Sequence, residues 1–186
     1  PGNIPLVVEP PHARFLGEFL GRLHRTLDGM TGPAVRPTLG LDELLDRPLE
    51  VLREAFPRER AALEALADLV ERVHVDLEDL DGDSPGFGLC HGDLIQTNFH
   101  TGEGRITVFD FDHSVRTWRA YDLAVFLWSL PAASRDEVGR SFLDGYRTTG
   151  PVPVDEIERW RPKFEFARQL LVWAWHGQAA DDFRAV

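Results

Sequence analysis

Lysine is almost missing from this 186-residue chain: of its twenty basic residues nineteen are arginine, and Lys163 stands alone. Any role that needs a compact ammonium must therefore fall to Lys163 or to a residue outside these 186. Cysteine is as scarce. Cys90 has no partner with which to form an intramolecular disulfide, and a reducing cytoplasmic setting is the natural expectation. No stretch approaches the ~18 consecutive apolar residues of a membrane span. The N-terminus has no basic-then-apolar signal pattern. Positive charge is outweighed, with a formal net charge of -11. That balance argues against an extended nucleic-acid or anionic-membrane footprint and would attract cationic ligands. The chain opens on Pro1, and Met30 is its single methionine, so a piece of a longer chain is expected.

What is present begins with apolar content of 43%, enough to bury a sizeable core. Residues 1–12 are rich in proline and read as a connector. Helical periodicity then governs residues 13–86, with Phe15, Leu16, Phe19, Leu20, Leu23 and Leu27 on one face. His24 beside that stripe reads as a hydrogen-bonded packing histidine. A loop is expected over 29–40 and a short helix over about 48–56. A long helix to about residue 80 would open on Pro57, whose missing N–H costs nothing in a first turn. Residues 87–113 change character. Phe87 to Cys90 is a short apolar strand entering a loop, with Cys90 read as buried and inert. Asn98–His100 and Arg105–Phe109 flank Thr101-Gly102-Glu103-Gly104 and predict a hairpin, with His100 on its surface. Residues 114–186 return to helix. Ser134 and Glu137 have capping-box spacing, and Pro162 predicts an interruption between the last two helices.

The chemistry is concentrated in Leu89–His100, Ile106–His113 and Trp118–Trp128. The predicted hairpin brings Asn98 close to Asp110. One amide oxygen and one carboxylate form a hard oxygen pair suited to Mg2+, which keeps several waters and takes other ligands from substrate phosphates. Asp93, five residues before Asn98, would stand nearby and free of the metal, where it could accept a proton from an incoming hydroxyl. A kinase catalytic loop divides its labour in the same way.

These segments resemble the aminoglycoside phosphotransferase and choline kinase superfamily, which has a protein-kinase-like fold. His91-Gly92-Asp93 with Asn98 is similar to its H-G-D-x-x-x-x-N loop. Val108-Phe109-Asp110-Phe111-Asp112 is similar to its hydrophobic-D-x-D segment, and Tyr121-Asp122-Leu123-Ala124 to its Y-D-L-A helix start. The resemblance is specific over about forty residues. It implies an α+β, mainly α fold: a kinase-like C-terminal lobe with a small antiparallel hairpin. It implies ATP as phosphoryl donor, Mg2+ as cofactor and a small, amine-bearing alcohol as acceptor. Asp93 would be the catalytic carboxylate. Asn98 and Asp110 would hold the metal, with Asp112 at the metal or one layer behind it. His91 would pack beneath the metal segment, Gly92 would permit a tight backbone path, and a buried Asp122 would accept N–H bonds from the loop. Trp173, Trp175, Asp181 and Asp182 near the C-terminus could line an acceptor pocket, since aromatic faces and acids suit a cation; helical core packing and solvated acids are the alternative for them.

Two readings from other classes stay open at this point. A metal-dependent hydrolase could use His91, Asp93, Asp110, Asp112 and His113 as ligands, although His113 is otherwise expected to be exposed. A non-catalytic kinase-like module could bind a ligand without turnover. No lysine and no Gly-rich phosphate loop between strand-like runs precedes His91. The ATP-clamping lobe is therefore expected to lie outside this chain, and the chain alone is expected to be a poor enzyme.

Overall fold

A computed structural model describes residues 8–28, 36–80, 86–102 and 105–184, with side chains to 178. Helices α1 (Pro10–Asp28), α2 (Arg47–Ala55) and α3 (Arg60–Leu77) precede strands β1 (Phe87–Cys90), β2 (Phe99–Gly102), β3 (Arg105–Val108) and β4 (Val115–Trp118). Helices α4 (Arg119–Ser129), α5 (Arg135–Thr149) and α6 (Val154–Arg184) follow. The mainly α fold with small antiparallel pairings is the architecture of a kinase-like C-terminal lobe.

Helix α4 is the centre of the core. Every residue from Arg119 to Leu127 is buried, and a helix apolar on nearly all sides must be surrounded by other elements. Phe126 meets Phe142 of α5 at 4.3 Å and Phe99 of β2 at 6.4 Å between ring centroids. Tyr121 meets Phe164 of α6 edge-on at 6.3 Å. Burial of an aromatic ring of this size stabilises by about 1.5–3 kcal/mol. Helix α1 lies against α5 along a close seam, with Ala13, Leu16 and Leu20 wholly buried. A Cβ at Gly17 would run into the Phe142 carbonyl, and one at Gly145 into the Arg14 carbonyl, so each glycine lets the facing backbone come into contact.

The four strands make two antiparallel pairs. β2 and β3 form the expected hairpin, with Phe99 opposite Val108 and Gly102 opposite Arg105; Glu103 and Gly104 of its tip lie outside the described residues. β1 pairs with β4, Phe87 opposite Trp118 and Cys90 opposite Val115. That second pairing was not expected. β4 has only four residues, Val115–Trp118, too few to display a period, and its alternation is hidden by Arg116 and Thr117. The segment 37–39, expected as loop, runs beside β4 through Leu39 N–H to Arg116 O (2.9 Å) and Arg116 N–H to Pro37 O (2.9 Å).

Four local expectations are corrected. Helix α1 already begins at Pro10, inside the proposed connector. Pro57 does not open α3: a turn closed by Glu59 N–H on Phe56 O (3.0 Å) takes it, and proline is favoured at the second position of such a turn. Ser134 forms no capping box. Its backbone is helical, at φ -113 and ψ -5, rather than extended, and its hydroxyl turns back to Pro131 O at 3.4 Å. Finally, α6 runs through Pro162 as one helix of 31 residues. The ring removes one backbone bond, but Ile157 and Phe164 are buried on either side of it, and that packing offsets a cost of about 3 kcal/mol.

Candidate active site

The site is assembled at the C-terminal end of β1. The chain leaves Cys90, turns through His91, Gly92 and Asp93, and returns as β2. Gly92 has φ +83, and a Cβ there would collide with the His113 carbonyl oxygen. Only glycine meets both demands without strain.

Asp122, in the first turn of α4, holds this turn from below. Its carboxylate is fully buried and accepts three N–H bonds: from Gly92 N (2.7 Å), His91 N (2.8 Å) and His24 Nε2 (3.1 Å). Burial pushes its pKa up, but the hydrogen bond from His24, with that from the Gly92 N–H behind it, outweighs that and holds Asp122 below its ordinary range. His24 is also buried, and burial pushes its pKa down against the pull of Asp122. Burial thus favours the uncharged ring, in which Nε2 donates to Asp122 and Nδ1 accepts from the Tyr146 hydroxyl at 2.9 Å. One chain of bonds thus ties α1 and α5 to the loop.

His91 is buried beneath the 109–111 segment. Its Nε2 pairs with Phe109 O at 3.0 Å, its Nδ1 with Asp93 N–H at 3.3 Å, and its ring lies 4.5 Å from that of Phe111. Both nitrogens are engaged, which leaves neither to ligate a metal and removes the ground for the hydrolase reading. Asn98 donates from Nδ2 to Asp93 O (2.8 Å) and to Asp93 Oδ2 (3.0 Å). Its amide nitrogen is thereby fixed, and Oδ1 is the atom that could face a cation. Asn98 O accepts Phe109 N–H at 3.1 Å, so the backbones of Asn98 and Asp110 run side by side.

Asp110 is the one non-glycine residue with positive φ among the described residues, at φ 64 and ψ 61. A left-handed aspartate costs about 1–3 kcal/mol and persists where the surroundings dictate it. Asp110 and Asp112 are exposed. Among the described residues the one group of three His, Cys or acidic ligand atoms within 4.8 Å is His24, Cys90 and Asp122. That group is buried and paired internally, with Cys90 donating to Thr117 O at 3.6 Å and burial pushing its thiol pKa well up. The loop and hairpin thus present hard oxygen donors without forming a protein cage. Such a set fits Mg2+, which takes part of its shell from phosphates and water.

One site residue escaped the sequence. Arg168 of α6, 4% exposed, is ion-paired through Nη2 with Asp93 Oδ1. Its guanidinium carbon lies 5.4 Å from the Trp128 ring centroid and 5.1 Å from that of Trp175. Burial pushes the Tyr121 phenol up to about 12 despite the nearby charge of Arg168. A faint signal existed, since Arg168 and Trp175 are seven residues apart and share a helical face. Of the C-terminal residues considered as an acceptor pocket, Trp175 borders this cluster and lies 6.0 Å from the His113 ring. Trp173 lines a separate apolar groove with Leu52, Phe56 and Leu66. The side chains of Asp181 and Asp182 lie outside the described residues.

The sequence profile of the phosphotransferase enzyme family matches residues 2–162. The chain belongs to that family. It is 37% identical over 172 residues to an uncharacterized protein of Deinococcus radiodurans, covering 87% of this chain and 48% of that protein. It is 30% identical over 162 residues to one of Synechocystis, covering 86% and 44%. An amicoumacin kinase of Bacillus subtilis is 26% identical over 143 residues, covering 70% and 40%. The chain thus spans about half the length of the curated relatives it matches. Among solved structures, an amicoumacin kinase in complex with AMP-PNP, Ca2+ and Ami superposes with a TM-score of 0.66 at 24% identity, covering 90% of this chain and 51% of that one. A glucosamine kinase superposes with a TM-score of 0.60 at 22% identity, covering 94% and 52%. These structures share the fold. None of the described helices is long and apolar enough to cross a membrane.

Proposed function

We propose that this phosphotransferase-family chain carries the catalytic half of an ATP-dependent kinase whose acceptor is a hydroxyl on a small, amine-bearing molecule. The observation that carries the reading is the Asp93 carboxylate, fixed by Asn98 at one oxygen and Arg168 at the other, beside the Asp110 turn. Phosphoryl transfer asks little covalent work of a protein and depends on position and charge. Asp93 orients the acceptor hydroxyl and takes up its proton as the new bond to the γ-phosphorus forms and the bond from that phosphorus to the ADP oxygen breaks, with ADP as the leaving group. Asn98 Oδ1 and the Asp110 carboxylate would hold Mg2+, with Asp112 beside them. When bound, that ion supplies neutralisation of charge on the phosphates. His91 and Asp122 keep the loop in shape and transfer no proton. The amine-bearing class is supported by the named ligands of the structural neighbours, amicoumacin and glucosamine kinases, and by the acidic surface. The site would work in the cytoplasm, where ATP is present.

The phosphates' remaining contacts would come from residues outside these 186, and the chain alone is proposed to turn over ATP poorly. The test is ADP release by the longer protein and by this chain, each against amino alcohols, amino sugars and aminoglycosides. Turnover by the longer protein that disappears in Asp110→Ala and in Asp93→Ala supports the assignment. Turnover unchanged by both overturns it, and robust transfer by the 186 residues alone overturns the divided-site part.

A further inference from the structure

The pairing of Arg168 with Asp93 is not explained by stability. A buried ion pair competes poorly with well-packed apolar residues of the same volume, because two charges lose their water. Here the arrangement is specific. The guanidinium lies near two indole rings, Trp128 of α4 and Trp175 of α6, and these define its position from two elements. Trp128 is itself fixed by donating from Nε1 to Gln169 Oε1 at 3.1 Å, next in sequence to Arg168. Arg168 is therefore held between two aromatic residues and presents Nη2 to a single oxygen of Asp93, while Asn98 holds the other. A carboxylate so held has one orientation.

We propose that Arg168 is the positioning residue of Asp93, and that Trp128 and Trp175 clamp it for that purpose. The proposal rests on the kinase reading above. It also alters the expectation for Trp175: the indole approached by Arg168 is engaged by a cation of the protein's own, so that face is not the one that receives an amine. Arginine suits the post better than lysine, since its planar group stacks on indole and donates in a fixed fork.

The experiment is steady-state kinetics on the longer protein containing this chain, using ATP and the panel acceptor that gives the fastest ADP release. Arg168→Met, which keeps the length and loses the charge, is expected to lower kcat by about 10²-fold, the effect of a misplaced catalytic group. The KM for ATP should stay within about twofold, because nucleotide contacts are untouched. Arg168→Lys should recover part of kcat by restoring charge without the fork. Trp175→Leu should lower kcat in the same sense but less. The proposal is overturned if Arg168→Met leaves kcat within about twofold of the parent, or if kcat falls only together with a raised ATP KM. Should Arg168→Met fail to fold, Arg168→Gln carries the same criterion. Asp93→Ala and Asp110→Ala run beside them separate the two failures. If these leave turnover intact, the kinase reading falls; if they abolish it while Arg168 variants do not, only the positioning role falls.

Discussion

Replacing Asp122 by asparagine isolates one question: how much does the fold depend on a carboxylate, rather than an amide of the same shape, beneath the His91–Asp93 turn? Asp122 Oδ1 accepts one N–H, from Gly92, and Oδ2 accepts two, from His91 and His24. An amide has one accepting oxygen. Placed at the Oδ2 position it keeps His91 and His24, and its NH2 then faces the Gly92 N–H. Placed at Oδ1 it keeps Gly92; His24 can shift its proton to Nδ1 and accept from the new NH2, but His91 N–H is left facing a donor. Either way one buried backbone N–H is orphaned, at about 1–3 kcal/mol, and the surviving bonds lose their charge assistance, at about 1 kcal/mol each. The expected loss is about 3–5 kcal/mol, a large part of the ~5–15 kcal/mol that stabilises a typical protein. Urea unfolding followed by tryptophan fluorescence measures it, and hydrogen exchange should show the His91 or Gly92 amide newly unprotected. A variant within about 1 kcal/mol of the parent would refute the claim that three donors converge on this carboxylate.

Other outcomes follow from the same geometry. His24 has a lowered pKa in the folded state, so below the ordinary histidine value of 6.5 the unfolded chain takes up a proton that the folded chain refuses; Asp122, also lowered, adds the same effect only near and below its ordinary value of 3.8. Stability is complete above about pH 6.5 and falls as pH drops, with a slope of up to about 1.4 kcal/mol per pH unit for each proton; thermal melts from pH 7.5 to 5 measure it, and His24→Asn should flatten the slope. Asp110→Gly should relieve the left-handed strain and raise stability by about 1 kcal/mol, while divalent-dependent turnover is lost. Gly92→Ala should destabilise by about 1–3 kcal/mol, because φ +83 and the His113 carbonyl both oppose a Cβ; melting temperature and ADP release should fall together.

The sequence disclosed most where a function confines its residues to one short segment. The His91–Asp93 turn, the hairpin and the start of α4 lie between Leu89 and Trp128, so fixed spacing could stand in for geometry. The helices were legible because apolar positions repeat at the helical period, as Leu16 and Leu20 do, although Phe15 of the same expected stripe is exposed and Ala13, outside it, is buried. Partners brought from far along the chain were not legible. β4 is four residues long with a polar centre, and its pairing with β1 spans 25 residues from Cys90 to Val115. Arg168 lies 75 residues beyond Asp93, and nothing local separates it from a solvated helical arginine. Pro162 misled for a related reason: the force that carries α6 through it is tertiary packing on Ile157 and Phe164, which no local rule contains.

Near-absence of lysine gives the Asp93 environment a particular character. In a chain with one lysine, a buried cation beside a carboxylate falls to arginine, whose weak hydration makes burial less costly and whose flat face can be packed between rings. The loop is then fixed from two directions by different physics. From below, Asp122 collects neutral N–H donors and fixes the backbone of His91 and Gly92 without spending a cation. From the side, Arg168 fixes a side chain, through a contact that aromatic packing orients. The first device governs whether the turn exists, and its loss is read in stability. The second governs where one carboxylate oxygen points, and its loss is read in kcat. That separation is why Asp122 and Arg168 variants should fail different assays, although both residues act on the same three-residue turn.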